Sequence, residues 1–187
     1  MKLNIGCGRR KLAGWVNLDA NPAVQPDILA AVPPIPLEDN TVGHLLMESS
    51  LEHIPHCKLW SFFDEVERVC KDGAVVEIVV PHYSSVHAHD PLHHTYWHST
   101  SLNAMCINRN SETGERHSHL RLWLDKVELR VLMRTGIGIG SELGRRIGRL
   151  VDWPFNRGPV WQQACERLWP FGFDEVWFRA RVVKGQR

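Results

Sequence analysis

Two groups of residues have the types and spacing to do chemistry. The first is Gly6, Gly8 and Asp19, in the stretch "LNIGCGRRKLAGWVNLD" at residues 3–19. Glycines let a backbone come close to a ligand, and their N–H groups can face an anion or a polar edge. An acid at the carboxyl end of a strand lies where open α/β sheets bind ligands, and its carboxylate can accept both hydroxyls of a ribose. The plainer alternative is that Asp19 caps the "DANP" turn. Spacing narrows the choice of ligand. A third glycine completing GxGxxG would fall at Lys11, and the acid follows Gly8 by eleven positions, where a dinucleotide fingerprint puts it about twenty on. Residues 6–14 leave nine positions for the crossover, just short of the roughly ten to twelve that a helical one needs. A pyrophosphate then loses the helix N-terminus that normally holds it. A cofactor with a ribose but no phosphate suffers less.

The second group is histidine-rich. Six of the eleven histidines fall in a short loop: His82, His87, His89, His93, His94 and His98. Histidine titrates near neutral pH, which suits a base that takes a proton from a hydroxyl. "HAHDPLHH" fails the H-x-H-x-D-H metallohydrolase spacing, because Asp90 directly follows His89. No metal site is therefore expected. A solvated polar loop, or a lone divalent ion, remain as alternatives.

The elements that must position these groups follow from the apolar pattern. Buried-type strands are expected at residues 3–5, 15–18, 27–31, 42–47 and 74–80. Residues 58–69 place Leu59, Phe62, Phe63, Val66 and Val69 at helical spacing, and "KDG" supplies a lysine and a glycine to stop that helix. Strands and helices alternating in this way imply a parallel α/β sheet. Further on, short helices are expected at 101–106, 141–151 (capped by Ser141) and 159–169. Late strands are expected at 120–131 and 173–183. Residues 81–119 and 134–172 are expected to supply a substrate-side loop and a helical lid within one domain, 1–187.

Composition agrees with an ordinary globule. The chain has 187 residues, 43% hydrophobic and 23% charged, with a net charge of +1. No global field draws it to nucleic acid or to an anionic membrane. Its five cysteines include no CxxC pair, so reduced thiols in a cytoplasm are expected. No leader-like apolar run opens the sequence, and none approaches the ~18 residues of a membrane span.

The blocks together resemble the class I S-adenosylmethionine-dependent methyltransferases. "LNIGCG" is similar to their first motif, and Asp19 to the ribose-binding acid. "IPLEDNTVGHLLMESSLEHI" and "LWSFFDEVERVCKDGAVVEIVVP" are similar to their later segments, in the right order over the first 80 or so residues. A methyltransferase type 11-like subset associated with surface-glycan synthesis shares the short "GCG … GWVNLD" opening. It also shares a "DP-x-H" loop, here Asp90-Pro91-Leu92-His93, and an ending similar to "RLWPFGFDEVWFRARVVK".

The resemblance implies a Rossmann-like fold: a mostly parallel twisted sheet with a late antiparallel strand and an abbreviated first helix. It implies S-adenosylmethionine as cofactor, held by Gly6, Cys7, Gly8, Asp19, Ala31, Val32, Glu48 and Ser49. Ala31 and Val32 stand where the subset often has an acid on the adenine side, and Glu48 could approach the methionine amino group. His82, directly after a strand, and His93, in "DP-x-H", are the candidates for the base; His53, in "LEHI", matches a motif position too. The implied reaction is methyl transfer to a small molecule or glycan, at oxygen.

Rival readings are a non-catalytic methyltransferase-like scaffold and a protein or nucleic-acid methyltransferase. No "NPPY"-type amine motif follows the fourth strand, and there is no basic surplus. Arg145, Arg146 and Arg149, with Trp153 and Phe155 nearby, suit transient contact with a phosphorylated or membrane-linked acceptor. Trp97 and Trp123 could stack on a sugar, "TGIGIGS" at 135–141 suits a hinge, and a homo-oligomer stays open.

Overall fold

Leu3, Asn4 and Ile5 are all buried in β1 (Lys2–Ile5), the pattern of a strand covered on both faces. A computed structural model, which describes residues 1–103, 106, 122–131 and 148–184, places this strand at the middle of a sheet. β1 runs parallel to β2 (Val16–Asp19), pairing Leu3 with Val16, and to β4 (Val42–Glu48), pairing Leu3 with Leu45. β3 (Ile28–Leu29) lies outside β2, and β5 (Cys70–Pro81) lies beside β4, both parallel. Beyond β5 come β7 (Glu175–Val182), antiparallel to it, and then β6 (Leu122–Arg130). The order β3-β2-β1-β4-β5-β7-β6 has one strand, β7, running against the rest.

No helix joins β1 to β2; the connection is a series of turns. Two buried asparagines do the work a helix would have done. Asn4 donates from Nδ2 to the Arg10 carbonyl at 3.2 Å and to Asn17 Oδ1 at 3.0 Å. Asn17 accepts from the Leu12 amide at 2.8 Å and donates to the Leu12 carbonyl and to Asp27. Backbone polar groups left over by so short a crossover are satisfied by side chains.

α1 (Leu59–Val69) buries Leu59, Phe62, Phe63, Val66 and Val69 against the sheet. Its end differs from the expected glycine stop. The chain turns extended at Cys70 and enters β5 at once, and Lys71, Asp72 and Gly73 bulge from that strand. The register steps from Val42–Cys70 to His44–Val75, so three residues are extra, and Gly73 takes φ +73° there. The core includes Ile5, Leu45, Met47, Val76, Ile78 and Phe178. α2 (Pro159–Leu168) occupies the expected 159–169 helix. Of the helix expected at 141–151, residues 141–147 lie outside the described residues and 148–151 are helical. Residues 101–103 are turn, and 104–105 of that expected helix are outside the described set. Residues 104–105 and 107–119 of the first expected cover segment, residues 134–147 of the second, and the whole 135–141 hinge lie outside it as well. No helix among the described residues is long and apolar enough to cross a membrane.

Candidate active site

A cleft of about 410 Å³ lies across the carboxyl ends of β3, β2, β1 and β4. Each stretch that lines it follows a strand: Gly6 and Gly8 after β1, Asp19 at the end of β2, Ala30–Val32 after β3, and Ser49, Ser50 and His53 after β4. A volume of this size suits a nucleoside-sized ligand.

Gly6 has φ +66°, and a Cβ there would sit 2.0 Å from Ser50 Oγ, so only glycine fits. The loop amides are already used. Gly6 and Cys7 donate to the Leu18 carbonyl at 2.8 and 3.2 Å, and Gly8 donates to Asp19 Oδ2 at 2.7 Å. These glycines therefore shape the loop instead of offering free amides to an anion. Asp19 combines the two roles left open by the sequence. Its Oδ1 accepts from the Asn21 amide at 2.8 Å, a turn-capping bond, while the residue lines the cleft. A carboxylate has about four acceptor positions, so two remain for ligand hydroxyls.

Ala31 and Val32 form one wall with Val24, and Ala30 is anchored by its amide to the Asp19 carbonyl at 3.0 Å. Ser49 takes the strained φ of +47° at the end of β4 and lines the cleft. Two of the expected cofactor residues do not line it. Cys7 is buried behind the loop, where burial and then the Asp19 charge push its thiol up. Glu48 is ion-paired with Arg10; burial pushes its carboxyl up and the guanidinium pulls the other way.

The two histidine candidates part company. His82 is 1% exposed and outside the cleft. Its Nε2 donates to Glu166 Oε1 at 3.0 Å, and its Nδ1 accepts from the Ser84 amide at 3.2 Å. Glu166 also accepts from the Ser99 amide and hydroxyl, both at 2.7 Å. Burial raises this carboxyl, but the bonds from His82 and Ser99 outweigh it and hold Glu166 below the usual range. The assembly ties α2 to the histidine loop. Trp97 is likewise a core residue, 3% exposed with its indole N–H on Thr95, and is no platform for a sugar. Trp123 is exposed on β6.

His93 does not itself line the cleft but packs on His53, which does, at its β4 end. Their rings stand edge-to-face with centroids 4.6 Å apart. Burial, then the neighbouring His53, lowers the His93 pKa. Beside them lies Glu52, which the sequence reading did not single out. Burial pushes its carboxyl up to about 7, and its Oε2 has no hydrogen-bond partner among the described residues. The "LEH" pattern held this residue in view, but nothing local marks it as buried. His87, His89, His94 and His98 are exposed.

No protein-family model and no curated protein sequence matches the chain. Solved structures do. A SAM-dependent methyltransferase from Archaeoglobus fulgidus superposes with a TM-score of 0.57 at 16% identity, over 96% of this chain and 84% of that one. The 16S rRNA (adenine(1408)-N(1))-methyltransferase of Catenulisporales acidiphilia, with cosubstrate SAM, gives 0.53 at 14%, over 99% and 86%. The geranyl diphosphate C-methyltransferase of Streptomyces coelicolor A3(2), in complex with S-adenosyl-L-homocysteine, gives 0.52 at 14%, over 97% and 70%. The fold is that of the class I S-adenosylmethionine-dependent methyltransferases: a seven-stranded, mostly parallel Rossmann-like sheet with an antiparallel late strand.

Proposed function

We propose that the protein is an S-adenosylmethionine-dependent methyltransferase acting on a hydroxyl of a small molecule or glycan. The observation that carries this reading is the cleft itself. It presents one carboxylate, Asp19, to a ribose, while the loop amides that could cradle a phosphate are bonded to Leu18 and Asp19. That favours a nucleoside cofactor over a dinucleotide. The solved neighbours of the same fold, two of them with SAM or its demethylated product, agree with it.

In this reading Asp19 holds the ribose hydroxyls and the Ala31–Val32 wall holds the adenine. A cofactor held this way would present its methyl donor toward Ser49 and His53. The acceptor oxygen attacks the methyl carbon in line. Transfer would form a C–O bond, return the C–S pair to sulfur and release the acceptor proton to solvent. Charge disappears at sulfur, so positioning supplies much of the acceleration. His93 packs on His53, which lines this end of the cleft, and His82 serves the fold. In this reading the acceptor's cover comes from the described parts of the two expected segments, 81–103 and 148–172.

The test is transfer of labelled methyl from S-adenosylmethionine to a panel of sugar and small alcohol acceptors. Label appearing as an acid-stable methyl ether supports the reading. Label on nitrogen or carbon, or no transfer to any hydroxyl while protein or RNA is methylated, overturns it.

A further inference from the structure

Glu52, His53 and His93 each bring one ligating atom to a point where all three lie within 4.8 Å of one another. They come from two segments: Glu52 and His53 from the turn after β4, and His93 from the loop after β5. The two segments are locked together, because the His94 amide donates to the Glu52 carbonyl at 2.7 Å.

The hydrogen bonds around the cluster fix the tautomers of its two histidines. His53 Nδ1 lies 3.3 Å from the Leu92 carbonyl, and His93 Nδ1 lies 3.2 Å from the Ala88 carbonyl. A carbonyl oxygen only accepts, so in both rings Nδ1 carries the proton and Nε2 carries the lone pair. This is how ligating histidines are oriented: one nitrogen donates to a backbone carbonyl and the other faces the ion. Glu52, 1% exposed, adds a buried oxygen with no partner among the described residues. Two imidazoles, each with Nε2 left as its lone-pair nitrogen, and a carboxylate with one orphaned oxygen are thus brought together. A buried polar group left unsatisfied is costly, and a cation satisfies all three.

We propose that Glu52, His53 and His93 bind one first-row divalent transition cation, of the Zn2+, Mn2+ or Fe2+ class, whose open positions take the acceptor's hydroxyl oxygen. Two imidazoles and one carboxylate suit such borderline ions better than Mg2+ or Ca2+, which prefer an all-oxygen shell. Three protein ligands leave room for water or substrate. His53 also lines the cleft, so the ion sits at the end where the proposed reaction meets its acceptor. Coordination polarises the acceptor O–H, whose proton passes to solvent. The role in catalysis rests on the methyltransferase reading; the binding of the ion does not. Spacing inside the histidine loop could not show this site, since two of its three ligands lie outside that loop.

The experiment uses the full chain, stripped with chelator and titrated calorimetrically with Zn2+, Mn2+ and Mg2+ in separate runs. S-adenosylhomocysteine is titrated into the same preparation. One equivalent of Zn2+ or Mn2+ is expected to bind, with Mg2+ at least tenfold weaker. Glu52→Gln and His93→Ala are each expected to weaken the transition ion by ten- to a hundredfold or more, and His87→Ala not at all. Circular dichroism checks that each variant is folded. Should either fail to fold, Co2+ absorption in the wild-type chain reads the site instead; intense visible bands support a low-coordinate nitrogen–oxygen shell. No saturable binding by the wild type, equal affinity for Mg2+, or unchanged affinity in folded Glu52→Gln and His93→Ala overturns the proposal. Ion binding without S-adenosylhomocysteine binding overturns the methyltransferase reading and leaves the cation site standing; the reverse result overturns the site alone.

Discussion

On the β3-β2-β1-β4 side of the sheet, each stretch that lines the cleft comes within a few residues of the end of the strand before it, and the bond that shapes the glycine loop is local, although Ser50 Oγ also reaches the Gly6 carbonyl across 44 residues. Gly8 and Asp19, eleven residues apart, bond directly. On the β5-β7-β6 side the bonds that converge on Glu166 are long-range. His82 reaches Glu166 across 84 residues, and Ser99 reaches it across 67. The first side is a set of strand-end turns that leave a cleft open. The second is a buried network that fastens a helix and a loop to the sheet. The same residue types therefore carry different meanings on the two sides: Asp19 beside its glycines faces ligand space, and Glu166 bonded to buried His82 holds the fold.

The largest effect expected from this contrast is on stability. Removing a buried carboxylate leaves its donors, His82 Nε2 and the Ser99 amide and hydroxyl, unsatisfied, and each such loss costs about 1–3 kcal/mol. Glu166→Ala should lower the unfolding free energy by that order in urea denaturation, while the folded fraction keeps its affinity for S-adenosylhomocysteine. Lost cofactor affinity in folded Glu166→Ala would erase the division between the two sides.

Asp19→Ala should show the opposite signature. Hydrogen bonds to a charged group are worth about 1.5–3 kcal/mol, so affinity for S-adenosylmethionine should fall by roughly 10- to 100-fold. The variant should stay folded by circular dichroism. An unchanged affinity would reduce Asp19 to the turn cap seen in its bond to Asn21.

A smaller effect tests the clamp that supports the cleft side from behind. Arg68 donates to both oxygens of Glu65, and this pairing holds the Glu65 carboxyl below its usual range. Stability from a lowered acid is fully present above the ordinary carboxylate range and is lost as pH falls through the lowered value. Glu65→Gln should therefore be less stable than wild type at neutral pH, by about 1 kcal/mol or less for a partly exposed pair. The gap should close in acid. A gap that is constant with pH would assign the loss to packing.

Legibility in the sequence divides along the same line. The strand, glycine loop and acid of residues 3–19 are contiguous, so their spacing alone argued for a short crossover and a nucleoside. α1 and the strands around it follow from apolar periodicity. The end of α1 did not, because Gly73 resembles a helix stop and is in fact a bulge inside β5. His82 and His93 could not be told apart locally; burial against Glu166 separates them, and that contact joins distant segments. Glu52 was invisible for the same reason. Its environment is made by His93 and the loop that carries it, forty residues away in the chain.

The most direct test of the central claim is calorimetric titration of the full chain with S-adenosylmethionine, S-adenosylhomocysteine and NAD+ in parallel. One saturable site for the first two, weakened in Asp19→Ala, and none for NAD+ is the predicted result. No heat from either sulfur nucleoside at millimolar ligand, or tighter binding of NAD+, would contradict it.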